Sequence, residues 1–194
     1  MAAGEGRRMR PLSERWPKPV LPIDGRPVIA SLLRELAAAG LTDVTGVIGH
    51  LAEQIEELLG DGSAFGVDLR YTRQPSPDGS ADAVRRAVEA GVRPPFLVSA
   101  ADTLYTPGDV RRFAEAFLAS GKASAIAYAP DGDPAPLWGL TDAPTRLFDE
   151  LPGPPYELLE AVQRAGEVAR IEIGNTRAVT DPLDLVRENF PYLG

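Results

Sequence analysis

The polar and apolar positions of this chain alternate between two regimes, a helical period and short unbroken apolar runs. Residues 28–39 carry apolar side chains at helical spacing, and Gly40 stands where a helix C-cap belongs. The β-branched run 44–48 reads as a short buried strand. Residues 51–59 return to the helical period, with Glu53, Glu56 and Glu57 on the wet side. The pattern then predicts a strand over 67–72, a helix over 81–90, a strand over 96–99, a helix over 110–119 and a strand over 124–128. Strands alternating with helices of this length make βαβ units, so the expected class is α/β with a mainly parallel central sheet flanked by helices. Ligands on such sheets bind beyond the carboxyl ends of the strands.

The second half is less regular. Residues 130–155 hold seven prolines and little periodicity, and are expected to form a loop or a small excursion from the sheet. A helix is predicted over 156–164, a strand over 168–173 and a last helix over 182–188, with Thr180 or Asp181 as its N-cap and Pro182 in its first turn. No internal repeat or low-complexity tract is found. A chain of 194 residues with 44% hydrophobic content suits one domain, 1–194.

Charge narrows the partners. The net charge of −8 and pI near 4.8 argue against nucleic acid or an anionic membrane surface. The absence of cysteine rules out disulfides and thiolate metal sites. No apolar run approaches the roughly 20 residues of a membrane span, and the start has no signal-peptide pattern, so a cytoplasmic location is expected.

Against this acidic background the first residues form a local basic site. The run Ala2-Ala3-Gly4-Glu5-Gly6-Arg7-Arg8-Met9-Arg10 has two glycines that let the backbone turn tightly and bring N–H groups close to an anion. Arg8 and Arg10 add planar donors that grip phosphate oxygens in pairs, and Lys18 adds a mobile point charge one loop further on. Such a set suits a triphosphate. It is neither the P-loop pattern nor the three-glycine dinucleotide fingerprint.

The run 1–29, including Pro17-Lys18-Pro19 and Pro22-Ile23-Asp24-Gly25-Arg26-Pro27, resembles the opening of the sugar-phosphate nucleotidyltransferases. A second block, Gln74-Pro75-Ser76-Pro77-Asp78-Gly79-Ser80-Ala81, is similar to the family segment that lies over the nucleobase. Glutamine offers both a donor and an acceptor to a base edge, and glycine lets the backbone lie against a flat ring. The same turn also reads as the cap of the helix that follows. A third block, Phe96-Leu97-Val98-Ser99-Ala100-Ala101-Asp102, ends a buried strand on an acidic residue at the ligand-binding edge.

The resemblance implies a Rossmann-like nucleotidyltransferase fold and the reaction of an NTP with a sugar 1-phosphate to give an NDP-sugar and pyrophosphate. Arg8 and Lys18 would be catalytic, Ala3, Gly4, Gly6, Gln74, Gly79 and Ser80 would bind nucleotide, and Asp102 would hold Mg²⁺. Phosphocholine or cofactor nucleotide transfer uses similar loops. A non-catalytic nucleotide-binding regulator is the rival reading.

Three departures from the family bear on that choice. The family's second metal-binding aspartate falls on Ala178, with Asp181, Glu172 or Asn175 as substitutes, and the glutamate-lysine-proline motif that meets the sugar is absent. A central strand of about six residues should precede Ala2-Ala3-Gly4, and Met1 stands at its last position. A start placed too far downstream, or an incomplete sequence, is therefore expected rather than a fold that never had this strand. The remaining polar candidates are expected to be bland. His50 reads as a surface residue, Glu56-Glu57 and Arg85-Arg86 as solvated helix faces, and Trp16 and Trp138 as packing residues.

Overall fold

The computed structural model describes residues 1–141 and 157–190. Three 3-10 turns, Arg7–Met9, Leu12–Glu14 and Lys18–Val20, carry the basic segment into a two-stranded antiparallel ribbon of β1 (Pro22–Ile23) and β2 (Arg26–Pro27). Then follow α1 (Val28–Ala38), β3 (Asp43–Ile48), α2 (Ala52–Leu59), β4 (Asp68–Arg73), α3 (Ser80–Glu89), β5 (Phe96–Ser99), β6 (Thr103–Leu104) and α4 (Asp109–Ser120). The second half supplies β7 (Ser124–Tyr128), β8 (Pro134–Leu140), α5 (Leu158–Arg164), β9 (Val168–Glu172), β10 (Arg177–Ala178) and α6 (Pro182–Asn189). Asp181 is the N-cap of α6, accepting from the Leu183 and Asp184 amides while Asp184 answers the N-cap amide, a complete capping box.

The sheet is in two parts. β3 and β4 pair in parallel, and a four-stranded part runs β5-β8-β7-β9. β8 lies antiparallel to both β5 and β7, whereas β7 and β9 are parallel. Apart from β8, then, all these strands run one way within their part. The expected loop over 130–155 is corrected for its first stretch, where β8 is an interior strand; 142–155 lie outside the described residues. Pro134 and Pro136 hide the strand signal by breaking the apolar alternation. Pro136 still serves the ladder through its carbonyl, which accepts from the Ala100 N–H at 3.1 Å.

Helices cover both faces. On one side Ile29 and Leu33 of α1, Ile55 and Leu59 of α2 and Leu69 of β4 form one cluster, and Phe113 and Phe117 of α4 pack on Ala125, Ala127 and Leu137. On the other, Ala81 and Val84 of α3 and Leu158 and Val162 of α5 meet Ile126 and Trp138. β7 is buried along its whole length, as a strand covered on both faces must be. No helix among the described residues is long and apolar enough to cross a membrane.

Between the two parts, among the described residues, the first residues of the chain make the bridging contacts. The Ala2 N–H donates to Val47 O at 2.7 Å, the Met1 ammonium to Ser99 O at 2.7 Å, and the Ala101 N–H to Met1 O at 2.9 Å. Ala2 sits opposite Ile48 in parallel register. Away from this stitch a cavity of about 970 Å³ opens between β3 and β5.

Candidate nucleotide site

The basic loop is fixed at the carboxyl edge of the sheet by residues on both sides of it. Met9 is fully buried with Leu21, Ile23 and Val28 and anchors the loop's middle. Gly6 takes a left-handed conformation at φ 61°, and a Cβ there would lie 3.2 Å from Ser13 Cβ and 3.5 Å from Lys18 Cβ. Both the conformation and the close approach of the second turn require glycine. Gly4, by contrast, borders open space. Arg7 pairs with Glu5 at 2.8 Å, Arg10 with Glu14 at 4.0 Å, and exposed Arg8 has no partner among the described residues.

Lys18 and Asp102 come together. The Lys18 ammonium forms an ion pair with the Asp102 carboxylate, and the two side chains are only 17% and 25% exposed. Asp102 follows β5 at the end where Met1 and Ala101 exchange their hydrogen bond. Loop and acidic residue, 84 positions apart in the chain, therefore share one site.

The base block joins the same edge through Gly49, which sequence reading passed over. A Cβ on Gly49 would stand 2.8 Å from Ala3 O and 3.1 Å from Gln74 O, so this glycine lets the backbones of the loop and the base block approach one another. The Gln74 amide is turned inward: its Nε2 donates to Gly79 O at 3.0 Å and to Asp82 Oδ2 at 2.9 Å. Gly79 itself has φ 101°, a conformation open to glycine. Ser80 Oγ donates to Glu157 at 2.7 Å and accepts from the Leu158 N–H at 2.8 Å, tying α3 to the start of α5.

Several bland expectations are corrected. Arg85 and Arg86 do not simply coat a wet face; both guanidiniums reach back to Asp82, whose side chain is fully buried. Burial works to raise the Asp82 carboxyl, but hydrogen bonds from Arg85 and Gln74 outweigh it and hold the group below the usual carboxylate range. His50 is half-buried, its Nε2 in contact with Ser13 O at 2.8 Å, and it pins the second turn of the basic loop. Glu56 pairs with Arg73 in solvent, in keeping with the solvated face expected there. Trp138 is a core residue as expected, whereas Trp16, expected to pack, is 46% exposed. Ser13 is a further residue that pattern reading missed. It is 2% exposed, its Oγ lacks a partner among the described residues, and it lies beside Gly6.

Of the positions weighed for a second carboxylate, Ala178 lies on β10 opposite Thr103 of β6, next in sequence to Asp102. Asp181 is spent on capping α6. Glu172 ends β9 in register with Tyr128, and the Asn175 carbonyl accepts from Thr106 Oγ1. Among the described residues no group of three or more His, Cys, Asp or Glu side chains converges. A magnesium ion needs one or two carboxylates when phosphate oxygens complete its shell. Asp102 fits that demand only together with a bound phosphate.

An α/β fold with a basic glycine loop and an acidic residue at the same sheet edge defines a class of phosphate-handling proteins. The sequence profile of the nucleotidyl transferase family matches residues 1–144, and the chain belongs to that family. It is 44% identical over 109 residues to the N-acetylmuramate alpha-1-phosphate uridylyltransferase of Neisseria meningitidis, a match covering 54% of this chain and 46% of the relative. A match at 30% identity over 164 residues, to the low-salt glycan biosynthesis nucleotidyltransferase of Haloferax volcanii, covers 81% of this chain and 45% of that protein. The chain thus spans about half the length of these relatives. In fold it resembles the UDP-glucose pyrophosphorylase from Acinetobacter baumanii, with a TM-score of 0.79 at 19% identity over 98% of this chain and 90% of that one.

Proposed function

We propose that this chain carries out magnesium-dependent nucleotidyl transfer from an NTP to a sugar 1-phosphate, releasing pyrophosphate. The observation that carries the reading is the Lys18–Asp102 pair beside the Gly4–Gly6 loop, a cation and an anion held ready at one sheet edge. In the reaction a phosphate oxygen of the sugar phosphate attacks the α-phosphorus in line. The bond to the α-phosphorus forms, the α–β anhydride bond breaks, and pyrophosphate leaves with the electron pair. Loop N–H groups, Arg8 and Lys18 offset charge on the triphosphate and on the departing pyrophosphate. Asp102 would hold Mg²⁺ with the nucleotide's phosphates, where the ion supplies charge neutralisation.

The base block supports a finer assignment. Asp82 is ionised and only accepts hydrogen bonds, so it fixes the Gln74 amide with its nitrogen inward. The acceptor Oε1 is then the part of Gln74 left to meet a base N–H, a donor that the imino group of uracil or thymine supplies. Ala3 and Gly79 would flank the ring, and Ser80 holds the block against the start of α5. The rival reading, a nucleotide-binding regulator, draws on Ala178 standing where a second carboxylate would complete the metal site. A pyrophosphate-release assay with a panel of NTPs and sugar 1-phosphates separates the two: release with UTP or dTTP supports the enzyme, and tight NTP binding without release supports the regulator.

A further inference from the structure

His50 is the chain's only histidine, and the proposed reaction gives it no part. It stands in the turn between β3 and α2, and the residue after it, Leu51, takes a left-handed backbone at φ 52°. A bulky residue rarely adopts that conformation, and such strain persists only where the surroundings hold it. Beyond the bend, Ile55 and Leu59 keep α2 seated in the core. At the bend, His50 faces the basic loop.

His50 touches that loop at both of its ends. Its N–H reaches Ala3 O loosely, at 3.5 Å, and its Nε2 lies 2.8 Å from Ser13 O. A carbonyl oxygen only accepts, so Nε2 carries the proton and donates. Gln54, in the first turn of α2, donates its Nε2 to Arg15 O at 2.8 Å. Both acceptors lie at the end of the second 3-10 turn, Leu12–Glu14, where the last carbonyls have no partner within the turn. The polar side chains of the turn do little to seat it. Ser13 Oγ is buried without a partner among the described residues, and Arg10 meets Glu14 only through an exposed pair at 4.0 Å, of a kind that contributes little. Leu12 packs against the Met9 cluster on one side, and His50 and Gln54 fix the turn from the other.

The place of this turn governs the rest of the loop. A Cβ on Gly6 would meet Ser13 Cβ at 3.2 Å and Lys18 Cβ at 3.5 Å, so glycine, turn and lysine are packed on one another. A turn that drifted outward would carry Lys18 along and release the Gly4–Gly6 backbone. We propose that His50 and Gln54 are positioning residues of the donor site, which hold the basic loop, through the Ser13 and Arg15 carbonyls, in the shape that receives a triphosphate before the nucleotide arrives. This rests on the reading of the loop as the triphosphate site. Neither side chain has to touch the nucleotide. A loop ordered in advance leaves less freedom to be lost on binding.

The test compares the parent chain with His50→Ala, His50→Gln, His50→Asn and Gln54→Ala. It reads affinity for a nonhydrolysable NTP by calorimetry, KM and kcat for NTP, and hydrogen exchange at the Met9 amide, whose bond to Gly6 O at 2.8 Å closes the first turn of the loop. His50→Ala should weaken NTP binding and raise its KM about tenfold, the loss of one well-placed hydrogen bond. At saturation the bound nucleotide re-forms the loop, so kcat should stay within about twofold. Met9 exchange in the absence of nucleotide should quicken by more than about tenfold. Gln54→Ala should change the same quantities in the same direction by about threefold, a comparison that stands even if His50→Ala fails to fold. Glutamine can bring an amide nitrogen to the place of Nε2, and asparagine, one methylene shorter, cannot. His50→Gln should therefore bind NTP within about twofold of the parent, while His50→Asn stays with the alanine variant. A ring that served only packing would not give that split.

Unchanged NTP affinity in both alanine variants would overturn the proposal, as would equal affinities of His50→Gln and His50→Asn. So would Met9 exchange at the parent rate in His50→Ala. A fall in kcat at constant KM would overturn it too, by giving His50 a direct part in the chemistry. A parent chain that binds no triphosphate while its Met9 amide is protected would defeat the donor-site reading and this proposal with it, a result distinct from parent binding that the variants leave untouched.

Discussion

Lys18 closes on Asp102 across the candidate nucleotide site, joining a residue of the third 3-10 turn to one in the segment between β5 and β6. Each neutralises the other in a setting less than one-third exposed. Binding of a metal and a triphosphate would hand both partners new company, with the cation moving to phosphate and the carboxylate to the metal. Asp102→Asn should therefore abolish magnesium-dependent turnover while leaving the far-ultraviolet circular dichroism unchanged. A variant with wild-type turnover would remove Asp102 from the mechanism.

Arg8 and Lys18 are separable. Arg8 is exposed and has no partner among the described residues, so Arg8→Ala should shift folding stability by no more than about 0.5 kcal/mol. It should nonetheless weaken binding of a nonhydrolysable NTP by about 1.5–3 kcal/mol, the value of a charge-assisted contact. Calorimetry reads the binding and urea unfolding the stability. Unchanged affinity would mean the loop does not meet phosphate.

Gly49→Ala should destabilise the fold by about 1–3 kcal/mol, because the new methyl would press on the carbonyls of Ala3 and Gln74 together. Urea unfolding measures it. A neutral outcome would show that the two backbones are free to separate.

Burial pushes the Met1 ammonium down to about 6 from its ordinary 8.0, with the nearby Asp102 charge working the other way. Between those values the unfolded chain binds more protons than the folded one, so stability rises with pH across the window from about 6 to 8. The penalty is complete below the lower value and gone above the upper, at about 3 kcal/mol. Denaturant unfolding at the two ends should show the gain, and an N-acetylated chain should lose it. A flat profile in the free-amine chain would mean the amine stays hydrated.

Pattern reading located β5 and β7 residue for residue because both are unbroken apolar runs between clear turn signals. Helix α1 and the capped start of α6 were legible for a similar reason, since stripe and cap are local properties. β8 was hidden because Pro134 and Pro136 erase the alternation that marks a strand, although its buried residues belong to the centre of the sheet. The loop, Lys18 and Asp102 could be named from their motifs, but not their mutual contact. The roles of His50, Gly49 and Asp82 escaped for a different reason. His50 meets a carbonyl 37 residues away, Gly49 separates two distant backbones, and Asp82 turns its charge inward, none of which leaves a local pattern.

The most direct measurement of the central claim is pyrophosphate release by the purified chain with Mg²⁺, each of the common NTPs and a panel of sugar 1-phosphates. The account predicts release that requires both substrates, is greatest with UTP or dTTP, and vanishes in Asp102→Asn. Release that is independent of any phosphate acceptor, or NTP binding with no release under any pairing, would contradict it.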